Sequence, residues 1–327
     1  MIAVIGAGTW GTSFSTVIAN RSDVLLFARD EEVVNNINSL HENVRYLKGI
    51  KLPLNVFATS DRRLLSDIDD VVFSVPVQSI RQVIEDFKPF FKESVRILNL
   101  GKGIEISTLK RVSEIFKELL PNSRYSVLSG PNFAREVALK EYCATVIASE
   151  LEEESEYWQK LLIFPYFRVY TTDDVVGVEI SGGLKNVIAI AAGVVKGLKY
   201  GDNSKAALIT RGLAEITRFG LKLGARQETF FGLSGVGDLL LSCTSFQSRN
   251  FRAGALLAEG YSLEDIKKKL GSVIEGIYTS EAALKLSKKL GVDMPITQQV
   301  FAIVNKKASI RDAIDSLTSR KPLKEFY

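Results

Sequence analysis

The chain opens on Ile2-Ala3-Val4-Ile5 followed by Gly6-Ala7-Gly8-Thr9-Trp10-Gly11, and no other stretch restricts the possible folds so tightly. Four apolar residues in a row read as a strand buried on both faces. The three glycines stand in G-x-G-x-x-G spacing, and residues 12–19 continue as a helix. Each glycine is needed for a physical reason. Gly6 permits the sharp turn out of the strand, Gly8 lets a pyrophosphate approach the backbone, and Gly11 lets the helix pack close to the sheet. The helix start then offers unpaired N–H groups and a partial positive charge to phosphate. The pattern implies a dinucleotide, with Gly6, Gly8 and Gly11 as contacts.

Strand and helix signals alternate through the first half. Strands are expected at 24–27, 56–58, 71–75, 95–100, 125–128, 143–147 and 167–170, with helices at 31–40, 79–87, 107–120 and 152–163. The fold class is therefore α/β, with a doubly wound Rossmann-type sheet extended beyond the usual six strands, over residues 1–174. Beyond that point only helical patterns appear. Residues 175–198 are apolar on all sides, as in a helix at the centre of a bundle. Further helices are expected at 204–223, 249–258, 280–290, 295–304 and 310–317. Another begins at a capping box formed by Ser262 and Asp265 and stops at Gly271. Residues 175–327 thus read as an all-helical C-terminal domain, ending in a solvated tail at 320–324.

Composition excludes several functions. With 42 Lys+Arg against 38 Asp+Glu, the net charge of +4 gives no support to a nucleic-acid partner. Two cysteines, Cys143 and Cys243, make no disulfide framework, and no Cys/His cluster suggests a metal. The apolar run 187–195 falls short of the roughly 20 residues a membrane span needs. The first strand leaves no room for a targeting segment, so a cytoplasmic protein is expected. His41 is the only histidine. Any proton transfer must use it or another residue type.

The residue closing the second strand selects the nicotinamide cofactor. An acid there accepts from the ribose 2′-OH, whereas an arginine suits a 2′-phosphate. Here the strand ends Ala28-Arg29-Asp30, about 18 residues past Gly11. Arg29 favours NADP, while Asp30 leaves NAD open. In the second half, Lys185 lies within an otherwise apolar helix beside Gly182 and Gly183, which weaken that helix by about 1 kcal/mol each relative to Ala. A buried lysine has a pKa lowered toward the range useful for proton transfer, unless it snorkels to the surface. The glycines of Gly235-Val236-Gly237-Asp238 deliver an aspartate, either to pair with Lys185 or to cap a helix. Ser248-Arg249-Asn250 at a helix start makes a phosphate cradle, or a plain cap with a surface arginine.

Together these residues resemble the bacterial-type NAD(P)-dependent sn-glycerol-3-phosphate dehydrogenases nearly end to end. The shared motifs are Gly6-Ala7-Gly8-Thr9-Trp10-Gly11-Thr12, Gly101-Lys102-Gly103, Ser129-Gly130-Pro131, Leu184-Lys185-Asn186-Val187, Gly235-Val236-Gly237-Asp238-Leu239 and Ser248-Arg249-Asn250. Val273-Ile274-Glu275-Gly276 and Met294-Pro295-Ile296 also match. The resemblance implies reversible reduction of dihydroxyacetone phosphate to sn-glycerol 3-phosphate by NADPH or NADH, in a homodimer that supplies phospholipid precursors. It implies Lys185 as proton donor or acceptor, Asp238 as its partner, and Lys102 reaching substrate and nicotinamide from the sheet half. It implies that Ser248, Arg249 and Asn250 hold the substrate phosphate, with Gly130, Asn132, Asn186 and Ser242 completing that pocket. Thr9, Trp10, Arg29, Tyr46, Ala134, Arg249, Val273 and Glu275 are implied around the dinucleotide. Asn132 stands where Ser or Thr is common, Gly183 where Ala is common, and Ser242 where Thr is common. A related architecture acting on ketopantoate or a 3-hydroxy acid is the competing expectation, but such substrates lack the small phosphate that Ser248-Arg249-Asn250 suits.

Overall fold

The computed structural model describes residues 1–271, 273–321 and 324–325. The eight strands are β1 (Ile2–Ile5), β2 (Val24–Phe27), β3 (Val56–Thr59), β4 (Asp70–Phe73), β5 (Arg96–Asn99), β6 (Arg124–Ser129), β7 (Cys143–Ala148) and β8 (Phe167–Thr172). They form one sheet in the order β3-β2-β1-β4-β5-β6-β7-β8. All neighbours are parallel except β6 and β7, which run antiparallel. The central strands are buried along their full length because helices cover both faces.

Among them run α1 (Thr9–Ile18), α2 (Glu31–Leu40), α3 (Val77–Phe87), α4 (Val112–Leu119), α5 (Ala134–Ala138) and α6 (Glu152–Leu162). One face of the sheet packs Val4, Leu26 and Val72 against Phe14, Val17 and Trp158 of α1 and α6. The other packs Ile5, Val71 and Ile97 against Ile80, Ile84 and Phe116 of α3 and α4. The order reverses between β1 and β4, which opens a crevice at the carboxyl ends of those strands.

No strand occurs after Thr172 among the described residues. The helical half begins with α7 (Val175–Gly197), α8 (Asp202–Lys222), α9 (Gln227–Phe230), α10 (Asp238–Thr244) and α11 (Arg249–Ala258). It ends with α12 (Leu263–Leu270), α13 (Glu275–Leu290), α14 (Pro295–Val304) and α15 (Ile310–Thr318). By length and apolarity α7 resembles a membrane-spanning helix, yet 83% of its most apolar window is buried inside the protein. It is the axis on which α8, α9, α10, α11, α13 and α14 pack, while α12 packs on α11 and α15 on α14. Where α11 crosses α7 the backbones touch. A Cβ on Gly193 would stand 2.0 Å from the Phe251 carbonyl oxygen, and one on Gly254 1.9 Å from that of Ile190.

Two expected helices differ. The one expected at 107–120 starts only at Val112, because Ile104 bridges Arg111 and Leu109 sits at φ +62°, outside helical space. The one expected at 280–290 starts at Glu275, and Ser280 is buried within it, donating to the Ile277 carbonyl instead of capping. The Ser262 cap and the left-handed Gly271 stop occur at the expected places. Of the tail at 320–324, Pro322 and Leu323 lie outside the described residues, and Arg320 pairs with Asp293.

Candidate active site

The turn after β1 is shaped for a close-lying anion. Gly6 takes φ +113°, and a Cβ there would meet the Ser74 carbonyl oxygen at 2.4 Å. At Gly8 a Cβ would have nothing within 4 Å, so the backbone faces open space. The first turn of α1 carries no acidic residue to oppose a phosphate. Thr9 and Trp10 form that turn, and Ala134, the first residue of α5, accepts from Ser13 Oγ at 2.5 Å. A dinucleotide pyrophosphate therefore fits this turn.

Sequence reasoning missed Asn43, which lies in an irregular segment where no periodicity marks it. Its wholly buried side chain donates to the Ala7 carbonyl (2.9 Å) and the Thr12 hydroxyl (2.8 Å), and accepts from Tyr46 N (3.2 Å). Tyr46 is thereby held beside the glycine turn. Arg29 is exposed at the end of β2. His41 occupies the left-handed C-cap of α2, a structural position.

Across the crevice α7 presents Lys185, only 9% exposed. Its ammonium donates to Asp238 Oδ1 and, at 2.9 Å, to Ser242 Oγ. Lys102 Nζ donates to the other Asp238 oxygen at 2.7 Å and lies 3.5 Å from the Gly130 carbonyl oxygen. One buried carboxylate thus joins a lysine of each half. Asp238 stands at the start of α10 after a π-helical turn at Leu233–Gly237, and it does not cap that helix. Burial pushes the Lys185 amine down to about 8, against the opposing pull of Asp238; the nearby Lys102 charge lowers it further. Gly182 is small because the protein itself closes on it. A Cβ there would stand 2.8 Å from Ser129 Oγ and 3.6 Å from Lys102 Cδ.

The expected Ser/Asn phosphate cradle is corrected in part. Ser248 Oγ accepts from Phe251 N as the cap of α11. Asn250 is turned inward: Nδ2 donates to Asn186 Oδ1 (2.9 Å) and Oδ1 accepts from Gly276 N (3.0 Å). That leaves Arg249, exposed in the first turn of α11, and the unpaired N–H groups of that turn. Enough protein surrounds Arg249 to lower its pKa, with Glu275 opposing that shift. Burial raises the Glu275 carboxyl to about 7, although the Val77 N–H and Arg249 favour its charged form. One Glu275 oxygen and the Thr279 hydroxyl one turn later are buried without a partner, as are Ser129 Oγ and Asn132 Oδ1. Asn132 Nδ2 donates to the Ala144 carbonyl. Val273 is exposed. Among the described residues no cluster could hold a metal ion.

Residues 1–155 match the family model described as NAD-dependent glycerol-3-phosphate dehydrogenase N-terminus, and 174–315 match that of its C-terminus. The chain belongs to the NAD-dependent glycerol-3-phosphate dehydrogenases. Relatives agree over almost their whole length. The glycerol-3-phosphate dehydrogenase [NAD(P)+] of Carboxydothermus hydrogenoformans is 44% identical over 329 residues, covering 99% of this chain and 98% of its own. That of Bacillus subtilis is 44% identical, covering 98% and 94%. The crystal structure of glycerol-3-phosphate dehydrogenase from Coxiella burnetii superposes with a TM-score of 0.94 at 36% identity, covering 98% of each chain. As a glycerol-3-phosphate dehydrogenase the chain is an oxidoreductase using NAD or NADP, and its buried Lys185 and half-buried Lys102 meet on one aspartate.

Proposed function

We propose that this chain reversibly reduces dihydroxyacetone phosphate to sn-glycerol 3-phosphate, with Lys185 moving the proton and NADPH preferred over NADH. The single observation carrying the reading is the Lys102–Asp238–Lys185 bridge across the crevice. When bound, the reduced nicotinamide supplies the hydride. The chain's own residues do the rest. An ammonium has three N–H donors. Two of those on Lys185 are held by Asp238 and Ser242. The third is left for a substrate oxygen, to which it gives a proton as that oxygen gains negative charge. Lys102 brings a second positive charge to the same oxygen. Arg249 and the start of α11 hold the substrate phosphate, and this remote contact fixes the carbonyl for reaction.

In this reading residues 1–174 present the dinucleotide and residues 175–327 the substrate. Gly6, Gly8, Thr9, Trp10, Gly11, Arg29, Tyr46 and Ala134 line the dinucleotide. Lys102, Arg249, Val273 and Glu275 close over it. Gly130, Asn132, Asn186, Ser242, Ser248 and Asn250 shape the substrate pocket. We place the enzyme in the cytoplasm as a homodimer, feeding glycerophospholipid synthesis. The test is Lys185→Ala. Turnover falls on the order of 10²–10⁴-fold, as for loss of a general acid, while NADPH still quenches tryptophan fluorescence. Near-normal turnover removes Lys185 from the chemistry.

A further inference from the structure

The segment after α2 is fastened to the glycine turn by the buried Asn43, and it carries Arg45 along with Tyr46. The Arg45 guanidinium pairs with Asp30 and lies 5.3 Å from the centre of the Tyr46 ring. Asp30 follows Arg29 at the carboxyl end of β2. This is where the adenosine ribose lies in a dinucleotide fold, and a free acid there favours the 2′-OH and repels a 2′-phosphate of roughly two negative charges. Asp30 is not free. One of its oxygens accepts from Glu32 N as the cap of α2, and Arg45 occupies the other. Arg45 therefore offsets the one carboxylate that stands at the strand end. Arg29, Glu31 and Glu32 are all exposed, so their charges act there only through solvent.

We propose that Arg45 is the specificity-determining residue that admits the 2′-phosphate of NADP. It neutralises Asp30 and turns part of its fork toward the phosphate, beside Arg29. Without it Asp30 is bare, and the corner prefers the plain ribose of NAD. The proposal rests on the reading that the dinucleotide runs along the glycine turn with its adenosine ribose at the end of β2.

Titration calorimetry of the full-length protein with adenosine 2′,5′-bisphosphate and with adenosine 5′-monophosphate separates the two. Arg45→Ala weakens the bisphosphate about tenfold, one charge-assisted contact, and leaves the monophosphate within about twofold. Adding Asp30→Asn, which keeps the helix cap, restores part of the loss. The kcat/KM ratio of NADPH to NADH falls in step in Arg45→Ala. Equal loss of both nucleotides, loss of neither, or discrimination that disappears with Arg29→Ala and is untouched by Arg45→Ala overturns the proposal. Failure of the unmodified protein to bind either nucleotide strikes instead at the placement of the dinucleotide.

Discussion

Lys185 carries its charge at a cost set by burial, and that sets a pH dependence. Its amine is lowered from 10.5 to about 8 in the folded protein. A lowered cationic pKa means that the unfolded chain binds more protons between those values. Stability therefore rises with pH across that window, and the penalty is fully present below pH 8. Catalysis reads the same group in opposite senses. Alcohol oxidation needs the neutral amine and climbs as pH rises through about 8; ketone reduction needs the ammonium and declines there. Asp238→Asn removes the charge that holds the proton on, so the falling limb of the reduction profile moves to lower pH. An unmoved limb in pH-rate profiles assigns that ionisation elsewhere. The lysine was legible from sequence because a cation in an apolar helix demands a reason. Its partners were less so, since Asp238 and Ser242 are more than 50 residues away and only the folded chain brings them together. Asn43 gave no signal at all, because an asparagine in a polar loop looks the same whether it is solvated or buried.

At the scale of elements, α7 and α11 cross with their backbones in contact. Alanine at Gly193 or Gly254 drives a methyl group into a backbone carbonyl that cannot step aside. Either variant should lose about 1–3 kcal/mol of stability or more, read as a fall in melting temperature, whereas alanine at the open, helix-stopping Gly260 should strain only a loop. Equal effects at the three positions contradict the close crossing. The sequence disclosed these helices well, since α2, α11 and α14 begin and end where their caps and periodicity put them. It misjudged the starts of α4 and α13. There, tertiary ties decide the boundary: Arg81 grips Glu105 in the loop before α4, and Asn250 accepts from Gly276 N in the first turn of α13. Neither tie leaves a local pattern. The antiparallel entry of β7 was equally silent, because a short buried strand reads the same in either direction.

Across the whole molecule, the halves are joined by buried polar contacts as well as by packing. Glu179 of α7 accepts from Arg111 (2.8 Å), from the Ser113 amide and hydroxyl (2.7 Å each) and from the Tyr125 hydroxyl (2.8 Å). Burial and that carboxylate hold the Tyr125 phenol well above its ordinary range, so it stays a donor. Glu179→Ala leaves Arg111 its Glu114 partner at 3.5 Å but takes the acceptor from the Tyr125 hydroxyl and the Ser113 amide, and should cost about 1–3 kcal/mol. With this clasp and the Lys102–Asp238 bridge in place, calorimetry should record one cooperative unfolding transition. Two resolved transitions in the intact protein argue that the halves fold independently. The grip on the Lys185 nitrogen also has a chemical consequence. An amine that titrates near neutrality beside a ketone ordinarily condenses with it to an imine. Here Asp238 favours the ammonium while a ketone is present, and the proton leaves only as that ketone becomes an alcohol, so the free lone pair meets no carbonyl and the lysine remains a reusable acid.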